Sequence, residues 1–153
     1  MQKISTCLWF DGQAEEAAKF YVSVFRNSKV KQTVLYGDTG PGKKGSVMTV
    51  AFELDGREFL ALNAGPKFKF NHAISLMVNC ETQKELDEMW AKLSTGGATE
   101  ECGWLRDKYG LSWQIVPAIL PELMKDPAKS DKVMQEVVKM TKLDIAAMRK
   151  AAA

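Results

Sequence analysis

The 153-residue chain has room for one ordinary domain, and at 46% hydrophobic and 26% charged residues it is globular in composition rather than disordered. A formal charge of +2 with both signs interspersed excludes the concentrated basic face of a nucleic-acid binder. No apolar run nears the roughly 20 residues that cross a bilayer, MQKISTCLWF has no leader pattern, and Cys7, Cys80 and Cys102 lack CxxC spacing, so the expectation is a cytoplasmic protein with reduced thiols and no membrane partner.

Residues 3–10, KISTCLWF, are rich in β-branched and aromatic types and stop at Asp11-Gly12, which predicts a strand ended by a turn. In QAEEAAKFYVSVF the positions Ala17, Phe20, Tyr21 and Val24 recur at the spacing of one buried helical face, and Glu15 and Glu16 suit its first turn. SKVKQTVLYG and SVMTVAFEL then read as strands around the loop GDTGPGKKG, and Asp55-Gly56 joins the second tightly to REFLALNAG. That completes one βαβββ module over about residues 1–66.

After the linker PKFKFN the same order restarts at about residue 71 with the strand HAISLMVN. Thr82 and Glu85 match a capping box, Leu86, Met89, Trp90 and Leu93 form an apolar helix face, and Gly96-Gly97 ends it. ATEEC, GWLRD and LSWQIV supply further short strands, closing the second module near residue 117. The fold class is therefore α+β, built from two βαβββ modules. Residues 118–153 read as a helical extension divided by Pro121 and Pro127, with Met134, Val137, Val138, Met140 and Leu143 on its apolar face.

The segments CLWFDGQAEEAAKFY, ISLMVNC, CGWLRDKYGLSWQIVP and KMTKLDIAA resemble signatures of the PhnB-like proteins, which are grouped in the vicinal-oxygen-chelate superfamily with glyoxalase I, bleomycin-resistance proteins and extradiol dioxygenases. Members often carry the label 3-demethylubiquinone-9 3-methyltransferase, and the resemblance implies that the two βαβββ modules form a curved, pocket-enclosing mixed sheet. The resemblance implies metal ligands on the first and last strand of each module. Here those places hold Ile4, Ala73, and Leu60 or Ala61, leaving Gln114 as a single weak donor, so neither metal nor other cofactor is expected.

Other candidate chemistry is thin. His72, the sole histidine, falls one place before the expected ligand position and should point to the other side of its strand as a hydrogen-bonding edge residue. GDTGPGKKG misses the phosphate-loop pattern, because Lys44 stands where the hydroxyl belongs and a strand follows where a helix should; it reads as a mobile hairpin loop able to overhang a pocket. No glycine-rich turn suits S-adenosylmethionine. The three cysteines read as buried, inert thiols, and Asp107 as a turn-forming residue.

The reading that results is a metal-independent small-molecule binder whose pocket is lined by Thr6, Leu8, Asn63, Ser75, Met77 and Gln114, with Trp113 packed on the opposite side of its strand. The rivals are a metal-dependent lyase, isomerase or dioxygenase, and the methyltransferase of the family label. The resemblance further implies a homodimer, and the apolar tail face of Met134, Val137, Val138 and Met140 is expected either at or beside its interface or packed on the chain's own sheet.

Overall fold

The computed structural model describes residues 1–153, and chain contacts divide them into two compact units, Met1–Phe70 and Asn71–Ala153. In the first, the β-rich run after Ser5 forms β1 (Thr6–Phe10), shorter than expected because residues 1–5 stand exposed before it. Helix α1 (Ala14–Val24), β2 (Lys29–Leu35), β3 (Val47–Leu54) and β4 (Arg57–Asn63) follow. The sheet order is β1-β4-β3-β2, with β1 parallel to β4 and the other pairs antiparallel. Asp55 and Gly56 both take positive φ, 48° and 77°, which is the backbone of the two-residue hairpin that Asp-Gly favours.

Helix α1 buries Ala14, Ala17, Ala18, Tyr21 and Val24, and Tyr21 stacks on Phe52 of β3 at 6.3 Å between ring centroids. Phe20, expected in this face, is half-buried, and Ala18 takes its place: small side chains on two successive turns let the helix approach the sheet. Below it lie Leu8, Phe10, Val50, Phe52, Phe59 and Ala61, all buried. Strand β2 is exposed along its length; this edge carries Lys29 and Lys31, and Lys31 Nζ lies 3.3 Å from Glu53 and 3.6 Å from Glu58.

The second unit contains β5 (Leu76–Cys80), α2 (Gln83–Ser94), β6 (Ala98–Thr99), β7 (Trp104–Arg106) and β8 (Ser112–Pro117), with sheet order β5-β8-β7-β6 and β5 parallel to β8. Its mixed sheet repeats the pattern of the first, and neither closes on itself. Thr82 accepts from Glu85 N–H at 3.1 Å as expected, while the Glu85 carboxylate reaches Glu81 N–H, one residue before the cap. The helix ends at Gly96, whose φ of 76° is the usual stop.

One boundary moves in a way that matters below. The strand predicted from His72 begins at Leu76, because the Asn71 side chain accepts from Ala73 N–H at 2.8 Å and holds residues 71–73 in a turn. His72 and Ala73 therefore lie outside the strand whose alternation had been used to orient them.

The tail forms α3 (Leu120–Leu123), α4 (Pro127–Val137) and α5 (Ile145–Ala152), with Pro121 and Pro127 in first turns and Asp126 and Asp144 accepting from the N–H groups of Ala128 and Ala147. Val133, Val137, Leu143 and Met148 are buried. Met134 and Val138, expected on the same face as Val137, are 39% and 57% exposed, because the seam between α4 and α5 runs along Val133 and Val137 instead. No helix is long and apolar enough to cross a membrane.

Candidate functional site

Strand alternation assigns five of the six expected site residues to a face, Ser75 lying just before β5. In the first unit Thr6 pairs with Phe59 and Leu8 with Ala61, on the side occupied by α1, so Leu8 at 5% exposure is a core residue and Thr6 shares its side. Asn63 has the same parity and is spent on structure: its Oδ1 accepts from Ala14 N–H at the start of α1 at 2.9 Å, and its Nδ2 donates to the Val47 carbonyl at 3.1 Å. The missed signal is the helix directly after β1, which must cover one side of it.

Asn63 also borders an open cleft of about 490 Å³ with Asp11, Glu15, Glu16, Tyr36 and Gly42. Tyr36 is buried and its hydroxyl donates to the Asn63 carbonyl, while the loop 37–45 folds over its ring so closely that a Cβ on Gly42 would lie 2.1 Å from it. The near phosphate-loop sequence thus forms a collar around a tyrosine, followed by β3.

The second unit brings the other three together. Met77 and Trp104 both pair with Gln114, so their side chains share the face of this sheet opposite α2, and Gln114 Nε2 donates to Ser75 Oγ at 3.0 Å. Trp113 points the other way, 2% exposed, with its indole N–H donating to Asp107 Oδ2 at 2.8 Å. The opposed orientations of Gln114 and Trp113 agree with the expectation. On the Gln114 face, Ser112 Oγ is buried without a hydrogen-bond partner.

Beside Trp104 lies a cluster that strand alternation did not reveal. His72 Nε2 is 3.1 and 2.9 Å from the two Glu100 carboxylate oxygens, Arg106 Nε donates to the same carboxylate at 2.9 Å, and the His72 and Trp104 ring centroids are 6.3 Å apart. His72 is thus the partner of a carboxylate through a turn, where a place on the far side of a strand had been expected. Sequence offers one faint signal, the i, i+2 spacing of Trp104 and Arg106.

The residues present do not fit a metal. Ile4 is 85% exposed ahead of β1, Ala73 sits in a turn, Leu60 and Ala61 carry no donor, and Gln114 is engaged with Ser75. No three His, Cys, Asp or Glu side chains converge, and the Glu100 carboxylate is occupied by His72 and Arg106. S-adenosylmethionine fits no better: β1 leads into α1 through Asp11-Gly12 alone, and Asn63 already satisfies an N–H of that helix's first turn.

The thiols differ from one another. Cys80 is buried and its thiol is pushed up to about 12, first by burial and then by the Glu85 carboxylate, which disfavours the thiolate a nucleophile needs. Cys7 was expected to be buried but is exposed on the face away from α1, and partial desolvation still raises its pKa. Cys102 is half-buried.

Comparison with known proteins matches residues 2–116 to the family described as 3-demethylubiquinone-9 3-methyltransferase. Among solved structures the chain is 41% identical to a PhnB protein from Bacillus cereus, covering 76% of this chain and 98% of that one with a TM-score of 0.69. Protein PA1353 from Pseudomonas aeruginosa shares the fold at 18% identity and a TM-score of 0.64, covering 76% and 97% of the two chains. The fosfomycin resistance protein FosX from Mesorhizobium loti does so at 11% identity and 0.54, covering 77% and 93%. No curated protein matches.

Proposed function

The chain belongs to the PhnB-like family described as 3-demethylubiquinone-9 3-methyltransferase, within the vicinal-oxygen-chelate superfamily, and on that premise we propose that it binds a small neutral or weakly polar molecule without a metal. The observation that carries the reading is the convergence of Ser75, Met77, Trp104 and Gln114 on the sheet face that α2 leaves uncovered. It offers an indole plane, a thioether and one amide, a lining suited to a planar apolar ligand held by one or two hydrogen bonds. Ser112 Oγ adds a buried hydroxyl whose pairing would recover about 1–3 kcal/mol. Thr6 and Leu8 act in this reading as support for β1, and Asn63 as a clamp on α1.

Elemental analysis of purified protein should find transition metal far below one ion per chain, and mass spectrometry of extracted small molecules should find a species carried by wild type and lost from Gln114→Leu. Stoichiometric metal that is removed together with activity would move the assignment to a lyase, isomerase or dioxygenase. Saturable calorimetric binding of S-adenosylmethionine would move it to methyl transfer, the reaction in the family's description.

We place the protein in the cytoplasm, where its three unpaired thiols would stay reduced, and assign it a second copy of itself as partner. Exposed Met134 and Val138, one helical turn apart, are the tail residues available for that contact. Wild type is expected to sediment as a dimer at micromolar concentration, and Met134→Lys with Val138→Lys to weaken the dimer while leaving the melting temperature of each chain within a few degrees. Deleting the tail would be a poorer test, because Val133, Leu143 and Met148 are buried in the fold.

A further inference from the structure

Between two nitrogens and a carboxylate that can only accept, the geometry fixes the proton. Glu100 presents both oxygens to His72 Nε2, so in the neutral ring Nε2 carries the hydrogen and Nδ1 carries the lone pair. Arg106 Nε holds the same carboxylate from the other side at 2.9 Å, which orients it toward the imidazole. Trp104 and Arg106 are two residues apart on β7 and therefore share a face, and Trp104 lies opposite Gln114. A histidine whose second nitrogen is bound to an oriented carboxylate is the usual arrangement for a general base, since the carboxylate stabilises the imidazolium formed when Nδ1 takes a proton.

We propose that His72 and Glu100 form a proton-transfer pair that acts on a planar ligand lying against Trp104, with Arg106 placed to meet the negative charge left behind. The inference deepens the binding reading of this sheet face and rests on it. The ligand class is a planar, largely apolar molecule with one acidic C–H, N–H or O–H bond. The proton passes to His72 Nδ1, the bonding pair stays on the ligand, and the imidazolium returns its proton to ligand or solvent. No metal or redox partner enters the balance.

A usable probe is 5-nitrobenzisoxazole, a flat molecule opened by base. Its C3–H proton moves to the base, the C–H pair becomes part of a nitrile, the N–O bond breaks, and a coloured cyanonitrophenolate leaves. Binding is read separately as quenching of tryptophan fluorescence. Wild type is expected to open the probe faster than free imidazole at equal concentration. His72→Gln should lose about a hundredfold, Glu100→Gln should lose less, and Trp104→Leu should remove the quenching. In ¹⁵N-histidine spectra the neutral ring should show hydrogen on Nε2.

Quenching that Trp104→Leu abolishes, combined with opening no faster than free imidazole or unchanged in His72→Gln, would overturn the proton-transfer pair while leaving the face as a binding surface. Absence of quenching, or quenching retained in Trp104→Leu, would overturn the binding reading and this inference with it. Hydrogen found on Nδ1 would overturn the pair without touching the binding reading.

Discussion

Asp107→Ala is expected to destabilise the fold by about 3–5 kcal/mol. Asp107 is 3% exposed, and its carboxylate is shared among donors: Oδ1 accepts from the backbone N–H groups of Tyr109 and Leu111 at 2.9 and 3.1 Å, and Oδ2 from the Trp113 indole at 2.8 Å. Tyr109 is half-buried, so water can replace the carboxylate there. Leu111 and Trp113 are buried, and each orphaned donor costs about 1–3 kcal/mol. Asparagine keeps one acceptor but turns an amide N–H₂ toward donors, so Asp107→Asn should recover only part of the loss. Urea titration of the three proteins measures this directly, and a loss in Asp107→Ala below about 1 kcal/mol would mean that the network is not intact in solution.

Trp113→Ala should cost about 3–5 kcal/mol through the cavity it leaves, whereas its neighbour Gln114→Leu should change stability by no more than about 1 kcal/mol and act on ligand retention. The asymmetry comes from the strand: Trp113 faces Leu105 and the buried side of the sheet, while Gln114 faces Ser75 and Met77. Because Asp107 and Trp113 share a hydrogen bond, their double variant should lose less than the sum of the singles. Equal losses in the two neighbouring single variants would mean that the faces of β8 are reversed.

The elements were legible because their punctuation is local. Asp55-Gly56, Thr82, Gly96, Pro121 and Pro127 each act within a few residues, and the structure places a turn, a cap or a helix start at each. The site was only half legible for a related reason. Alternation along β8 correctly separated Gln114 from Trp113, but it says nothing of which side of β1 receives the helix, and Leu8 and Thr6 were assigned to the wrong one. His72 was misplaced because a single Asx turn at Asn71 delays the start of the strand by four residues, from His72 to Leu76. Its pairing with Glu100, 28 positions away, is tertiary, and no local pattern encodes it.

The family match stops at residue 116, yet the chain beyond it closes bonds that the matched part leaves open. The N–H groups of Cys102 and Gly103 donate to the carbonyls of Met140 and Thr141 at 2.8 and 2.9 Å, Gln83 bonds both the Leu143 carbonyl and Ile145 N–H, and Leu143 rests against Gly103. A fragment cut at the edge of recognisable similarity would expose two amides and a leucine-sized hollow at the β6–β7 corner. The part of this chain that is recognised thus ends short of the part that completes its hydrogen bonds and packing.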